Sequence, residues 1–225
     1  MTMSAMVGAA PARIPLGLKL AFTAFMAVMV PFYWITYGPT NFLYFCDVAM
    51  FLTLAALWTE SPLAASIPAV GLIFPQAVWC VDFFATMLGH PLLGMTSYMF
   101  NAGIALFARG LSSFHLWLPF VLVYLVARVG YDRRAFAAWT LIAWVLITVC
   151  YWLLPGPPPD PANPNVPVNI NYVYGFDDNA AQTLMPQWAW LALLYLGLPL
   201  VVFAPTHWAL AKYYGAVSTA RNASP

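Results

Sequence analysis

Apolar residues run along this chain in long unbroken blocks rather than in alternation with polar ones. Six of these blocks approach the roughly 20 residues that an α-helix needs to cross a bilayer. The predicted spans are Leu18–Tyr37, Asn41–Thr59, Pro62–Leu88, Leu111–Arg128, Ala135–Leu154 and Trp188–Leu210. Continuous runs favour helices over a membrane barrel, whose strands would alternate. The predicted fold class is all-α: a polytopic membrane protein with six transmembrane helices in one membrane domain covering residues 1–225.

Two connections are long. The first, 89–110, holds His90, Asn101 and Arg109. The second, 155–187, opens with a proline-rich run from Pro155 to Pro167 that should be extended. It then turns polar and aromatic through Asn169, Asn171, Tyr172 and Tyr174. A loop of this length without regular structure commonly carries function.

Basic residues supply the orientation. Arg13 and Lys19 precede the first span, Arg128, Arg133 and Arg134 lie between the fourth and fifth, and Lys212 and Arg221 follow the sixth. With six crossings all of them fall on one face, which places both termini inside the cell. Arg109 stands alone on the other face. The first apolar run is longer than a signal segment and no small-residue cleavage site follows it, so it reads as a retained span. No internal repeat suggests an inverted-repeat transporter.

Composition agrees with a lipid environment. The chain is 63% hydrophobic and 7% charged, whereas a soluble domain carries roughly a quarter charged residues. A net charge of +1 without a basic block gives nucleic acid nothing to bind. The expected partners are membrane lipids, as solvent and as substrate, in a bacterial inner (plasma) membrane; oligomeric state is left open. The three cysteines, Cys46, Cys80 and Cys150, lie in apolar runs without metal-finger spacing. No cofactor is expected.

Ionisable groups inside spans are costly and mark function by default. At about 1.5 Å rise per residue, Cys46 and Asp47 fall roughly 8 Å below the outer edge, Asp82 about 9 Å and His115 about 6 Å. Four reactive side chains from three helices thus share one layer. A cysteine with a histidine base is a minimal nucleophilic pair, and a carboxylate behind the histidine fixes its tautomer. Cys46 would be the nucleophile, His115 the general base and then acid, and Asp47 or Asp82 the orienting carboxylate. Asn169 or Asn171 would donate to a developing oxyanion, with Tyr172 and Arg109 at the substrate. Two other readings use the same residues. Asp47, Asp82 and His115 could line a polar path in a transporter, channel or assembly subunit. The aspartates and histidine with nearby cysteines could instead hold zinc in a membrane hydrolase, although no paired-histidine motif occurs.

Several short segments also carry a resemblance. Leu43-Tyr44-Phe45-Cys46-Asp47 is similar to the cysteine motif of the YwaF-like integral membrane proteins, and Leu111-Ser112-Ser113-Phe114-His115 to their histidine segment. Val168-Asn169-Ile170-Asn171-Tyr172-Val173-Tyr174, followed by Met185-Pro186-Gln187-Trp188-Ala189-Trp190, resembles their asparagine-tyrosine stretch and the proline-tryptophan start of the last helix. Animal relatives of that family are acyltransferases that remodel ether phospholipids. The resemblance implies that Cys46 accepts the acyl group and that His115 is its partner. The androgen-induced membrane hydrolases of fatty-acid esters look more distantly similar but use threonine with histidine, so cysteine at 46 points to the acyltransferase branch.

Overall fold

The computed structural model of the chain describes residues 14–221, with side chains through residue 215. Arg13 and the side chain of Arg221, both used above for orientation, lie outside the described residues. The helices are α1 (Leu16–Tyr37), α2 (Phe45–Thr59), α3 (Pro62–Met87), α4 (Leu106–Ser112), α5 (Phe114–Val129), α6 (Ala135–Leu153), α7 (Gln187–Gly197) and α8 (Ala204–Arg221). Short 3₁₀ turns occupy Pro39–Leu43, Ser97–Phe100 and Ile170–Tyr172, and no strand occurs among the described residues.

Local chemistry sets several of these ends. α1 stops at Gly38, whose φ of 80° suits glycine and whose N–H reaches the Trp34 carbonyl. α3 begins with Ser61 as N-cap, its hydroxyl accepting from the Ala64 N–H, and with Pro62 in the first helical turn. α7 continues into α8 through a π-helical turn, Leu198–Phe203. Pro199 lies in that turn and has no N–H to give the preceding carbonyl, which accounts for the local rewinding.

Five helical stretches are long and apolar enough to cross a bilayer: Leu16–Tyr37, Pro62–Met87, Leu106–Val129, Ala135–Leu153 and Gln187–Gly215. The sixth expected span is shorter. Its helical part, Phe45–Thr59, has 15 residues, because Pro39–Leu43 winds as a 3₁₀ turn. The fourth span begins at Leu106 rather than Leu111. Residues 106–110, expected in the outer loop, form most of α4, so Arg109 is helical. This architecture fits an integral multi-pass membrane protein.

α3 is the central helix, with 50% of its apolar window buried against 22% to 39% for the other four long stretches. It packs on α2, α5, α6 and α8. Gly71 lets it approach α6 closely: a Cβ there would collide with the indole of Trp139. Polar ties connect the helix ends. At one end Lys19 pairs with Glu60 at 2.7 Å, the Asp132 N–H donates to Ser66, and the Tyr131 hydroxyl meets His207 Nδ1 at 2.6 Å. At the other end Tyr33 meets Ser112, and Asn171 meets Phe45. Successive long helices therefore run in opposite directions. Between the two ends lies an apolar core that includes Met29, Met50, Leu118, Leu122 and Leu125, all fully buried.

Candidate functional site

At the end formed by the start of α2 and the start of α5, the bundle encloses a cavity of about 440 Å³. Cys46 and Asp47 line it from α2, Gln76 and Trp79 from α3, Arg109 and Ser112 from α4, and His115 from α5. Tyr98, Asn169, Tyr172 and Asp178 of the two long connections complete the wall. Cys46 and His115, singled out in the sequence, therefore border the same cavity.

Cys46 occupies the first turn of α2, where helical amides lack intrahelical acceptors. The Phe45 N–H donates to Asn171 Oδ1 at 2.9 Å, and the Val48 N–H already closes on the Tyr44 carbonyl at 3.0 Å. No backbone or side-chain oxygen accepts from the N–H groups of Cys46 and Asp47 among the described residues. This is the positive end of a helix, open to the cavity.

His115 is held on three sides. Its ring stacks on Trp79 with centroids 4.9 Å apart and on Phe114 at 4.2 Å. Its Nδ1 lies 2.9 Å from the side-chain nitrogen of Gln76, as the amide is oriented here. The Cys80 thiol donates to the His115 carbonyl at 3.6 Å, supporting the backbone rather than the ring. Gln76 Oε1 is buried without a partner. Turning the amide by 180° brings this oxygen to the ring, so that Nδ1 carries the proton and Nε2 is left basic.

Of the two expected carboxylate orienters, Asp82 is engaged elsewhere. Asp82 is 1% exposed and does not line the cavity. Its Oδ1 accepts from the N–H groups of Leu92, Leu93 and Gly94, and its Oδ2 from the N–H and hydroxyl of Thr96. It organises the loop that carries Met95 and Tyr98 into the cavity wall. Burial holds the Tyr98 hydroxyl above the ordinary tyrosine range, so it stays protonated at neutral pH. Asp47 does line the cavity. Asn41 Nδ2 donates to its Oδ2 at 3.1 Å, while Oδ1 is buried with no partner.

The two asparagines are not free to act as oxyanion donors. Asn171 Nδ2 donates to the Leu43 carbonyl at 2.9 Å and to the Cys150 sulfur at 3.6 Å. Asn169 Nδ2 is engaged by the Gly175 and Asp177 carbonyls, and its Oδ1 accepts from the Tyr174 N–H. Both sit at positive φ, 53° for Asn169 and 59° for Asn171, a region asparagine tolerates better than most residues. They shape the loop and hold it on the start of α2. Tyr172, beside them at φ 61°, accepts at its carbonyl from the Trp190 indole at 2.8 Å. Arg109 Nη1 donates to the Met99 carbonyl at 3.1 Å, and its buried Nε has no partner.

A zinc centre needs three or more ligands around one ion. Among the described residues no group of three His, Cys, Asp or Glu side chains comes together. Comparisons of the chain with known protein families, with curated proteins and with solved structures each gave no match.

Proposed function

We propose that this protein is a membrane acyltransferase or lipid-ester hydrolase that uses Cys46 as nucleophile and His115 as its base. The observation that carries the reading is that both residues line one cavity, whose wall also includes the first turn of α2. The resemblance of the cysteine, histidine and asparagine-tyrosine segments to the YwaF-like membrane proteins supports the same assignment.

The residues account for each step. With Gln76 accepting from Nδ1–H, His115 Nε2 takes the Cys46 proton as sulfur attacks the ester carbonyl carbon. The carbonyl oxygen gains charge beside the Cys46 and Asp47 N–H groups, which replace the asparagines as oxyanion donors. When the tetrahedral species collapses, the C–O bond breaks and the leaving alkoxide takes the proton back from Nε2. Water, or the hydroxyl of a second lipid, then gives its proton to Nε2 and attacks the thioester, which releases the thiolate to be reprotonated.

In this reading the chain crosses the bilayer six times with both termini in the cytoplasm of a bacterial cell. The short α2 together with the 3₁₀ turn before it makes the second crossing. Lys19, Arg128, Arg133, Arg134 and Lys212 then share the cytoplasmic face, and the cavity opens towards the outer leaflet. A channel reading is weaker, because a polar path would have to cross the apolar core formed by Met29, Met50, Leu118 and Leu122. The test is release of fatty acid, or its transfer to a lysolipid, by purified protein in vesicles. Wild type should turn over, and Cys46→Ser and His115→Ala should not. Equal turnover by all three would sink the assignment.

A further inference from the structure

Asp47 is 2% exposed and lines the cavity from the first turn of α2. Its Oδ2 meets only the neutral amide of Asn41, and its Oδ1 is buried with no partner. No ion pair reaches it among the described residues. Arg109, the one Lys or Arg in the cavity wall, donates from Nη1 to the Met99 carbonyl instead. Asp178 belongs to the same wall, so two carboxyl groups stand there against one guanidinium. A carboxylate taken out of water is costly unless a positive charge meets it. The protein does not supply that charge to Asp47.

The rest of the wall indicates which cation would fit. It is built from Tyr33, Tyr37, Tyr44, Tyr98, Tyr172 and Trp79, among others. Aromatic rings attract ammonium and quaternary ammonium groups through their negative faces. A hard metal ion fits poorly, because no group of three His, Cys, Asp or Glu side chains forms among the described residues. A neutral hydroxyl would give Oδ1 a donor and leave the charge unanswered.

We propose that the Cys46–His115 cavity binds an ammonium group, with Asp47 as its counter-ion and the tyrosines as its surroundings. Two sources share this chemistry: the amine end of a lipid head and a free, water-borne amine. As an assignment of substrate the proposal rests on the acyl-transfer reading above, and Asp47 then selects esters whose polar end is positively charged. As a binding site it stands without that reading.

The test reads occupancy beside Cys46 and does not need turnover. Purified protein is placed in nanodiscs of phosphatidylglycerol or of phosphatidylethanolamine and treated with N-methylmaleimide, and the Cys46 adduct is quantified by peptide mass spectrometry. The amine-headed lipid should slow labelling of wild type at least fivefold relative to phosphatidylglycerol. Asp47→Asn should bring that ratio close to one; using the ratio within each protein cancels any change in thiol reactivity. A second arm needs no variant. Choline or its neutral isostere 3,3-dimethylbutanol is added to wild type in phosphatidylglycerol. Protection by choline and not by the isostere assigns a site open to free amines. Protection by the lipid head alone assigns a site that takes the amine only from the bilayer. Equal labelling of wild type in both lipids with no protection by choline would overturn the proposal. So would equal protection by choline and its isostere, or an unchanged lipid ratio in Asp47→Asn. Ester turnover without ammonium-dependent protection refutes this inference alone. Protection without turnover on either lipid keeps the binding site and refutes the acyl-transfer reading instead.

Discussion

The side-chain amide of Gln76 lies 2.9 Å from Nδ1 of His115, and this neutral group, not a carboxylate, fixes the imidazole. Without it, the ring keeps its stacking on Trp79 and Phe114 but loses its tautomer control. Gln76→Leu is expected to lower ester turnover by about 10²-fold, the lower range for losing general-base function. Gln76→Glu should recover much of it and shift the acidic limb of the pH–rate profile upward, because a carboxylate beside Nδ1–H stabilises imidazolium and the base must be deprotonated to act. Unchanged profiles in both variants would show that Gln76 is structural only.

The long apolar helices were largely legible in the sequence, and the glutamine beside His115 was not. The boundaries of α1, α3 and α6 follow directly from the apolar blocks. The error began at the fourth span, which starts at Leu106, five residues before the expected Leu111. At 1.5 Å per residue that places His115 about 7.5 Å further along its helical stretch than expected. Its neighbour on α3 then changes from Asp82 to a residue about two turns further in, which is Gln76. Helix rotation gives the same answer. At 100° per residue, Asp82 stands about 120° round α3 from Gln76, so one histidine cannot meet both. A lone glutamine beside Pro75 carried no other signal. The roles of Asn169 and Asn171 were hidden for a different reason, since they depend on how a long loop folds back onto α2.

Asp82 should act on the site only through the loop it holds. Asp82→Asn keeps the shape but removes the charge that five hydrogen bonds share. The expected cost is about 2 kcal/mol, in the range for hydrogen bonds to a charged group. Hydrogen exchange should speed up at the amides of Leu92, Leu93, Gly94 and Thr96 while the interior of α3 stays protected. Unchanged exchange there would contradict the assigned role.

The α3–α6 contact offers a test of packing away from the cavity. Gly71→Ala forces a methyl group into the ring of the fully buried Trp139. Overpacking of this kind costs about 1–3 kcal/mol. A lowered melting temperature in detergent is expected, with partial recovery in the double variant Gly71→Ala/Trp139→Leu. No loss of stability would mean that the two helices are not in close contact.

The turn between α5 and α6 should show a small pH dependence. Hydrogen bonds from the Arg134 side chain, at 3.1 and 2.7 Å, hold the Asp132 carboxyl below the ordinary aspartate range. Its folded pKa is thus below its unfolded one. The stabilisation is full above the unfolded value and is lost as pH falls through the folded value. Asp132→Asn should therefore be slightly less stable than wild type at pH 7, the difference vanishing in acid. A difference that grows in acid would contradict the pairing.

The most direct test of the central claim is the covalent adduct itself. Protein in nanodiscs is incubated with a phospholipid ester carrying an alkyne-tagged acyl chain, and the tag is mapped by peptide mass spectrometry. The expected result is a hydroxylamine-labile acyl group on Cys46, absent from Cys46→Ser and at least tenfold weaker in His115→Ala. Tag on another residue, or equal tagging of wild type and Cys46→Ser, would contradict the account.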